Sequence, residues 1–365
     1  MSQIEKLLQE ANLPELQDAE QMKKILLDNE YGYVPDIPYE MTVSEPTMLE
    51  SRLCCGQAQV SKVDMTITTE LGSHTFQVKR LLHTDGKEHP FFVFISFRYN
   101  EQYYYPVEEI AQRGFSVLSF YYGDVTEDND ACPDSNFDDR LAKVLLKNGR
   151  DQKDTCGKIA IWAWAASRVL DYAQTLPGLD LSQAAVIGHS RLGKTALVAG
   201  MMDERFRYVF SNDSGCSGAA LARGSLGVKK IPGKYGKTGE TIKNIMGVGY
   251  WFCKKYKDFA QTCIPEGFDQ HFLLATIAPR YVYVASAAMD GWASPDSEFL
   301  SCVAASKAWE DKGLTGFVHN GEMPDDDVIF PAGHIGYHRR PGHHFLSRTD
   351  WNRYMDFIER HREDN

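Results

Sequence analysis

Ala185-Val186-Ile187-Gly188-His189-Ser190-Arg191-Leu192-Gly193-Lys194-Thr195 runs from an apolar strand through a tight turn into a helix. Two chemistries use such a junction. In the first, Ser190 sits at the crest of a strained strand-to-helix turn, its hydroxyl exposed above the sheet edge. Gly188 leaves room for the turn. The backbone N–H of Arg191 opens the helix, whose positive end favours an oxyanion. Leu192 stands where the common G-x-S-x-G pattern has glycine, so that generic pattern is half matched. In the second, Gly188 to Thr195 spells G-x-x-x-x-G-K-[ST], a phosphate loop in which Lys194 would hold phosphates and Thr195 magnesium. The surroundings favour the first. Several strand-like runs precede the motif, whereas a phosphate loop usually follows the first strand of its domain. No apolar run ending in Asp stands in a clear magnesium-binding relation to it, although Asp124 and Asp213 could be argued.

Around this junction, Phe91 to Phe97, Phe115 to Tyr122, Ala184 to Gly188, Tyr208 to Ser211 and Tyr281 to Ala287 are near-continuous apolar runs. Such runs are typical of strands buried on both faces, as in a parallel sheet. Helical spacing fills the intervals at Pro106–Arg113, Ile159–Gln174, Lys194–Met202 and Asp296–Lys312, and again at Trp351–Glu359. Residues 57–83 alternate with period two, which predicts an antiparallel hairpin turning near Gly72-Ser73. Residues 3–29 have helical spacing and end near Gly32 and Pro35. The order predicts an α/β class protein: a mostly parallel, doubly wound sheet with a leading antiparallel hairpin, in three layers. Residues 1–50 are expected to form an N-terminal helical extension and 51–365 a single catalytic domain.

The 365 residues are 43% hydrophobic and 24% charged, which excludes disordered, collagenous and coiled-coil chains. Fifty acids against 39 bases give a net charge of −11, so no sequence-independent grip on nucleic acid or on an anionic membrane is expected. No run of 18 apolar residues is present. The start Met1-Ser2-Gln3-Ile4-Glu5-Lys6 has no secretory character, and eight cysteines without a C-x-x-C pair fit neither a disulfide scaffold nor a zinc ribbon. A cytoplasmic, reduced protein is the expectation, or a secreted one if a signal peptide has been removed. Residues 124–139 hold seven acids and no base, and residues 223–257 hold nine bases against Glu240 alone. Each is expected to be a solvated surface, the basic one with the further option of a rim attracting an anionic substrate.

A nucleophilic serine of this kind needs an acid and a histidine later in the chain. Asp290, in Met289-Asp290-Gly291-Trp292 after a late apolar run, and Asp213, in Asn212-Asp213-Ser214-Gly215 after the preceding one, both qualify as the acid. His344 or His343, in Pro341-Gly342-His343-His344-Phe345, could reach the serine, with His334 and His338 behind them. His334 and His338 are four apart, but Gly336-Tyr337 between them is not helical and no carboxylate completes a set, so no metal and no cofactor is expected. The chemistry is acyl transfer: His344 takes the Ser190 proton, the serine attacks an ester carbonyl, and the oxyanion rests on the Arg191 amide and guanidinium.

With these residues in hand, the chain resembles the glucuronoyl esterases, carbohydrate esterases of α/β-hydrolase fold. Their elbow reads G-x-S-R-x-G-K, and Gly188-His189-Ser190-Arg191-Leu192-Gly193-Lys194 matches each fixed position. The resemblance extends over Asp213-Ser214-Gly215-Cys216-Ser217-Gly218-Ala219-Ala220, Trp251-Phe252, Asp290-Gly291-Trp292 and Gly342-His343-His344, roughly residues 90–360. It implies Ser190 as nucleophile, His344 as base, Asp213 or Asp290 as acid, and Arg191 at the oxyanion. It implies Lys194 on sugar hydroxyls and Trp292 packed on the sugar, with Glu240 and Trp251 among the substrate contacts. The implied substrate is a glucuronate ester; an acetylated sugar or another carbohydrate ester is the alternative, and a non-catalytic sugar-binding relative is a further one. Fungal members carry a cysteine before the serine and another after the histidine; here His189 and Phe345 stand there. Where the family has an acidic sugar contact, three residues before its Trp-Phe pair, Val248 stands here, and Glu240 stands near the place of a glutamine contact.

Overall fold

The computed structural model describes residues 2–97, 105–128, 137–147, 149, 152–223 and 239–362. These residues carry one eleven-stranded sheet. Its strands are β1 Tyr39–Val43, β2 Thr47–Arg52, β3 Ala58–Thr69, β4 Gly72–His83, β5 His89–Ser96, β6 Ser116–Tyr121, β7 Leu179–His189, β8 Tyr208–Asn212, β9 Tyr281–Ala287, β10 Val328–Phe330 and β11 Ile335–Arg340. The order is β1-β3-β4-β6-β5-β7-β8-β9-β11-β10, with β2 also on β3. From β6 to β11 neighbouring strands are parallel.

The apolar runs separate the two faces by simple alternation. Phe91, Val93 and Ile95 of β5 join one core, beneath the helices Lys158–Ala173, Arg191–Met202 and Pro295–Ala305. Phe92 and Phe94 join the other, under Val107–Gln112 and Arg348–His361. The Trp351 ring meets Phe92 and Phe94 edge-on, at 5.3 and 5.2 Å. The central strands β5 to β9 are thus largely apolar on both faces because each face has its own helical layer. The doubly wound, three-layer expectation matches this architecture.

The details differ in instructive ways. The β3–β4 ladder runs from Ala58↔His83 to Thr69↔Gly72, so the turn is Glu70-Leu71 and Gly72-Ser73 already belong to β4. Within residues 1–50, helices occupy Gln3–Ala11 and Ala19–Leu26, and the segment continues as β1 and most of β2, both paired to β3. Glu30 and Tyr31 are fully buried. A Cβ on Gly32 would lie 2.6 Å from the Asp154 carbonyl oxygen, so the chain passes there only with glycine. β11 was not expected as a strand. It is rich in polar residues, yet His338, Arg339 and Arg340 are all buried, each facing a carboxylate.

Candidate active site

Ser190 has φ 59° and ψ −127°, a conformation that non-glycine residues rarely adopt. It lies between the end of β7 and the first residue of the helix Arg191–Met202. The Ser190 N–H donates to the Asn212 carbonyl at 2.8 Å, and its own carbonyl accepts from Gly193 N (2.8 Å) and Lys194 N (3.2 Å). A Cβ on Gly188 would stand 1.9 Å from the Leu192 carbonyl oxygen, and one on Gly193 would stand 3.0 Å from the Asn212 carbonyl oxygen. Both glycines are therefore needed for the sharp bend. The helix begins at Arg191, which leaves no open loop between Gly188 and Thr195 to wrap a phosphate. Thr195 is buried and its Oγ1 donates to the Arg191 carbonyl at 3.0 Å. Lys194 Nζ donates to the Ser214 carbonyl. The phosphate-loop spelling is thus overturned: its lysine and threonine are engaged within the fold.

Because β7, β8, β9 and β11 are adjacent and parallel, the loops leaving their C-terminal ends are neighbours. They carry Ser190, Asp213, Asp290 and His344. His344 Nδ1 donates to Asp290 Oδ2 at 2.5 Å. The His344 ring packs on His189, centroids 4.4 Å apart, which places it beside the elbow. Its side chain is 44% exposed and that of Asp290 only 7%. Asp213 converges on the same place: one donor atom each from Asp213, Asp290 and His344 lies within 4.8 Å of the others. Asp213 Oδ1 accepts the Ala287 N–H at 2.6 Å. Its buried Oδ2 has no hydrogen-bond partner, with Arg340 Nη2 at 3.6 Å and His189 Nδ1 at 4.0 Å. Burial, followed by the charges of Asp290, Glu298 and Asp350, pushes the Asp213 carboxyl well above the usual range.

The other histidines are elsewhere. His334 Nδ1 bonds the Thr315 carbonyl at 2.8 Å and its ring stacks on Tyr281. His338 is buried between Tyr283 Oη (3.0 Å) and Asp350 Oδ1 (2.7 Å). His343 is exposed, its carbonyl accepting from Arg340. His189, where fungal relatives were expected to carry cysteine, bonds Asn212 Oδ1 at 2.6 Å. Burial, with the charge of His344 next, holds it down to about 3, so it is a neutral packing surface for His344.

Four residues expected at the substrate lie around this centre. Lys194 is buried rather than on the helix surface, with Glu240 Oε2 3.9 Å from its Nζ. Glu240 N donates to the Trp292 carbonyl at 2.8 Å, and the Trp292 side chain is exposed. Trp251 is buried, and the Arg191 guanidinium lies over its ring at 4.5 Å.

Two residues escaped the sequence analysis. Asp128, within the acidic stretch expected to be solvated surface, has a side chain only 3% exposed and accepts Arg191 Nη1 at 2.5 Å. Tyr250 Oη (2.7 Å), Trp251 Nε1 (2.8 Å) and Tyr122 Oη (3.0 Å) also donate to it. Burial works to raise the Asp128 carboxyl, but the Arg191 charge and these hydrogen bonds outweigh it, and the group is held low. Glu298 is fully buried and accepts from Gly215 N (2.9 Å), Ser214 Oγ (3.3 Å) and Ser286 Oγ (2.5 Å), tying the Asp213 loop to the end of β9. Burial pushes it up to about 7 against those hydrogen bonds. Neither residue stands in a recognisable motif. Part of the basic stretch, residues 224–238 with four of its nine bases, lies outside the described residues.

Residues 65–313 match the family described as glucuronyl esterase of fungi. The chain is 35% identical over 260 residues to a carbohydrate esterase of an unknown prokaryotic organism, covering 70% of this chain and 55% of that protein. It is 34% identical over 163 residues to a 4-O-methyl-glucuronoyl methylesterase of Hypocrea jecorina, 44% of this chain and 34% of that one. The chain thus spans about half, or less, of the length of these relatives. Among solved structures, a promiscuous esterase from a marine bacterial metagenome superposes with TM-score 0.80 at 27% identity over 94% of this chain and 91% of its own. A glucuronoyl esterase from Solibacter usitatus gives the same TM-score, 0.80, and identity, 27%, over 93% and 91%. Among the described residues no helix is long and apolar enough to cross a membrane.

Proposed function

Since the chain belongs to the glucuronoyl esterase family, we propose that it is a serine carboxylic-ester hydrolase that cleaves carbohydrate esters of glucuronic acid through an acyl-enzyme. The observation that carries the proposal is the His344–Asp290 hydrogen bond of 2.5 Å, made by an imidazole packed beside the Ser190 turn. With Nδ1 held by Asp290, Nε2 is the nitrogen left to take the serine proton. The Ser190 oxygen attacks the ester carbonyl as its proton passes to His344, and the carbonyl electron pair moves onto oxygen. Arg191 supplies donors to that oxyanion from its backbone N–H at the helix start and from its guanidinium. The carbon–oxygen bond to the alcohol breaks, and the alcohol leaves with the proton from His344. Water then attacks the acyl carbon, giving its proton to His344. Ser190 departs with that proton, and the uronic acid is released.

Asp290 orients the ring and stabilises its protonated form. Asp213, whose carboxyl favours the protonated state, lies beside the same pair and supports it. In this reading the sugar is held by Lys194 and Glu240, paired at 3.9 Å, and by the exposed Trp292 side chain. The relatives' names support the uronate choice: one is a 4-O-methyl-glucuronoyl methylesterase.

The test has two arms. A fluorophosphonate probe is expected to label Ser190, and labelling that persists in Ser190→Ala would remove the nucleophile. A panel of methyl glucuronate, benzyl glucuronate and acetylated xylose is expected to favour the glucuronates; preference for the acetyl ester would replace the uronate by an acetylated sugar.

A further inference from the structure

The elbow region carries three cations, and each faces a carboxylate. Arg191 Nη1 is 2.5 Å from Asp128, Lys194 Nζ is 3.9 Å from Glu240, and Arg340 Nε is 2.9 Å from Asp350. Two more acids, Asp213 and Asp290, stand beside His344. Among the described residues no cation at this site is left unmatched.

The pairing of Arg191 is the informative one. A guanidinium next to an esterase nucleophile, with no counter-ion, would be a ready site for a product carboxylate, which it binds through two parallel charge-assisted hydrogen bonds. Here Nη1 is already taken, and the carboxylate that takes it is fixed by three other donors. The base of the loop is fixed as well. The buried Lys158 ammonium donates to Thr126 Oγ1 at 2.8 Å and to the Glu127 carbonyl at 2.5 Å, one residue before Asp128. Thr126 Oγ1 and Glu127 N both donate to Asp139, just before the helix Arg140–Leu145, at 3.1 and 2.9 Å. Asp128 is therefore built in, not an incidental surface acid meeting an arginine.

Hydrolysis changes the charge of the bound sugar. The ester is neutral, whereas its acid loses a proton at neutral pH and becomes an anion. The tetrahedral oxyanion is also negative, but it is covalently attached to Ser190 and forms together with a positive charge on His344. When the carboxylate forms, the bond to serine is gone and the imidazole is neutral again. What remains is an anion held by non-covalent contacts alone, in a site where, among the described residues, each cation is already paired, and beside the Asp290 carboxylate.

We propose that this site is charge-matched so that it accepts the neutral uronate ester and releases the uronate anion, and that Asp128 is the positioning residue that sets this discrimination by occupying Arg191. The inference rests on the uronate-ester reading above and adds to it the charge state that the site prefers.

The experiment compares two ligands by calorimetry on the intact chain: methyl glucuronoside as its carboxylate, and the corresponding uncharged primary amide. Wild-type protein is expected to bind the amide more tightly than the carboxylate. Asp128→Asn is expected to tighten the carboxylate by roughly tenfold while moving the amide less than about twofold. Adding Arg191→Gln to Asp128→Asn is expected to cancel that gain. Equal affinities for the two ligands in wild-type protein would overturn the proposal without needing any variant. So would an Asp128→Asn protein in which both ligands shift together. Hydrolysis of benzyl glucuronate, run in parallel, separates the two levels. Turnover with a tightly held carboxylate overturns this inference alone, and absence of turnover overturns it together with the function it rests on.

Discussion

Two aspartate–histidine pairs stand close together in the C-terminal part of this chain, and they differ in how far the imidazole is exposed. His338 bonds Asp350 at 2.7 Å with both side chains fully buried, and its second nitrogen meets Tyr283 Oη at 3.0 Å. Asp350 also holds Arg340 Nε at 2.9 Å and accepts the Ser347 N–H at 2.6 Å at the start of the last helix. His338, Arg340 and the Ser347 N–H hold its carboxyl down to about 2 against its burial. That pair ties β11 to the last helix and, through Tyr283, to β9. His344 makes an equivalent bond to Asp290, but its ring is 44% exposed and only Nδ1 is engaged among the described residues. The same two side chains are a structural tie in one place and, in the proposed mechanism, a proton relay in the other. What differs is whether one ring nitrogen is left accessible.

The sharpest way to break this comparison is at the serine. Ser190→Ala is expected to lower kcat/KM for benzyl glucuronate by at least about 10⁴-fold with the melting temperature little changed, since losing the nucleophile disables the whole relay. A fall of less than tenfold would mean that another group attacks. The two histidines should then part company. His344→Ala is expected to remove activity to a similar extent and leave stability within about 1 kcal/mol, because the side chain is half exposed. His338→Ala is expected to cost roughly 3–5 kcal/mol in denaturant unfolding, by leaving Asp350 short of a partner, while the folded protein keeps its kcat. The reverse pattern would exchange their roles.

The acids give a smaller contrast. Asp290→Asn is expected to lower kcat by about 10²–10⁴-fold by releasing the His344 tautomer, and Asp213→Asn by no more than about tenfold. Equal losses would mean that the two carboxyls share the ring.

The smallest effect is on pH dependence. Glu298 titrates near 7 in the folded protein, above its ordinary value of 4.5. The native state therefore holds more protons than the unfolded chain between those values, and stability falls as pH rises from about 4.5 to about 7. Glu298→Gln is expected to flatten that fall by about 1–3 kcal/mol, measured as unfolding free energy against pH. A variant with the wild-type slope would show that Glu298 ionises as freely as an exposed acid.

Much of the frame was readable from local pattern. Phe91 to Ile95 and Tyr281 to Ala287 declared themselves as strands because two helical layers require apolar residues on both faces. The elbow was readable because Gly188 and Gly193 are needed wherever a strand turns into a helix this sharply. Asp213, Asp290 and His344 were readable as candidates from their order after Ser190. β11 was not, because Gly336-Tyr337-His338-Arg339-Arg340 carries no apolar run. Its buried charges are tolerated only through Asp296 and Asp350, 43 residues before Arg339 and 10 after Arg340. Asp128 was hidden for the same reason. Among seven acids in one stretch, nothing local marks Asp128 as buried.

The sequence by itself thus determined the layer order, the bend at Ser190 and the short set of groups from which a relay could be drawn, since these follow from residue size, polarity and spacing along the chain. Only the tertiary structure decided which imidazole meets which carboxylate and which acid neutralises Arg191. Those choices are set by pairs of charges far apart in the chain, and burial makes each pair stable only when both partners arrive.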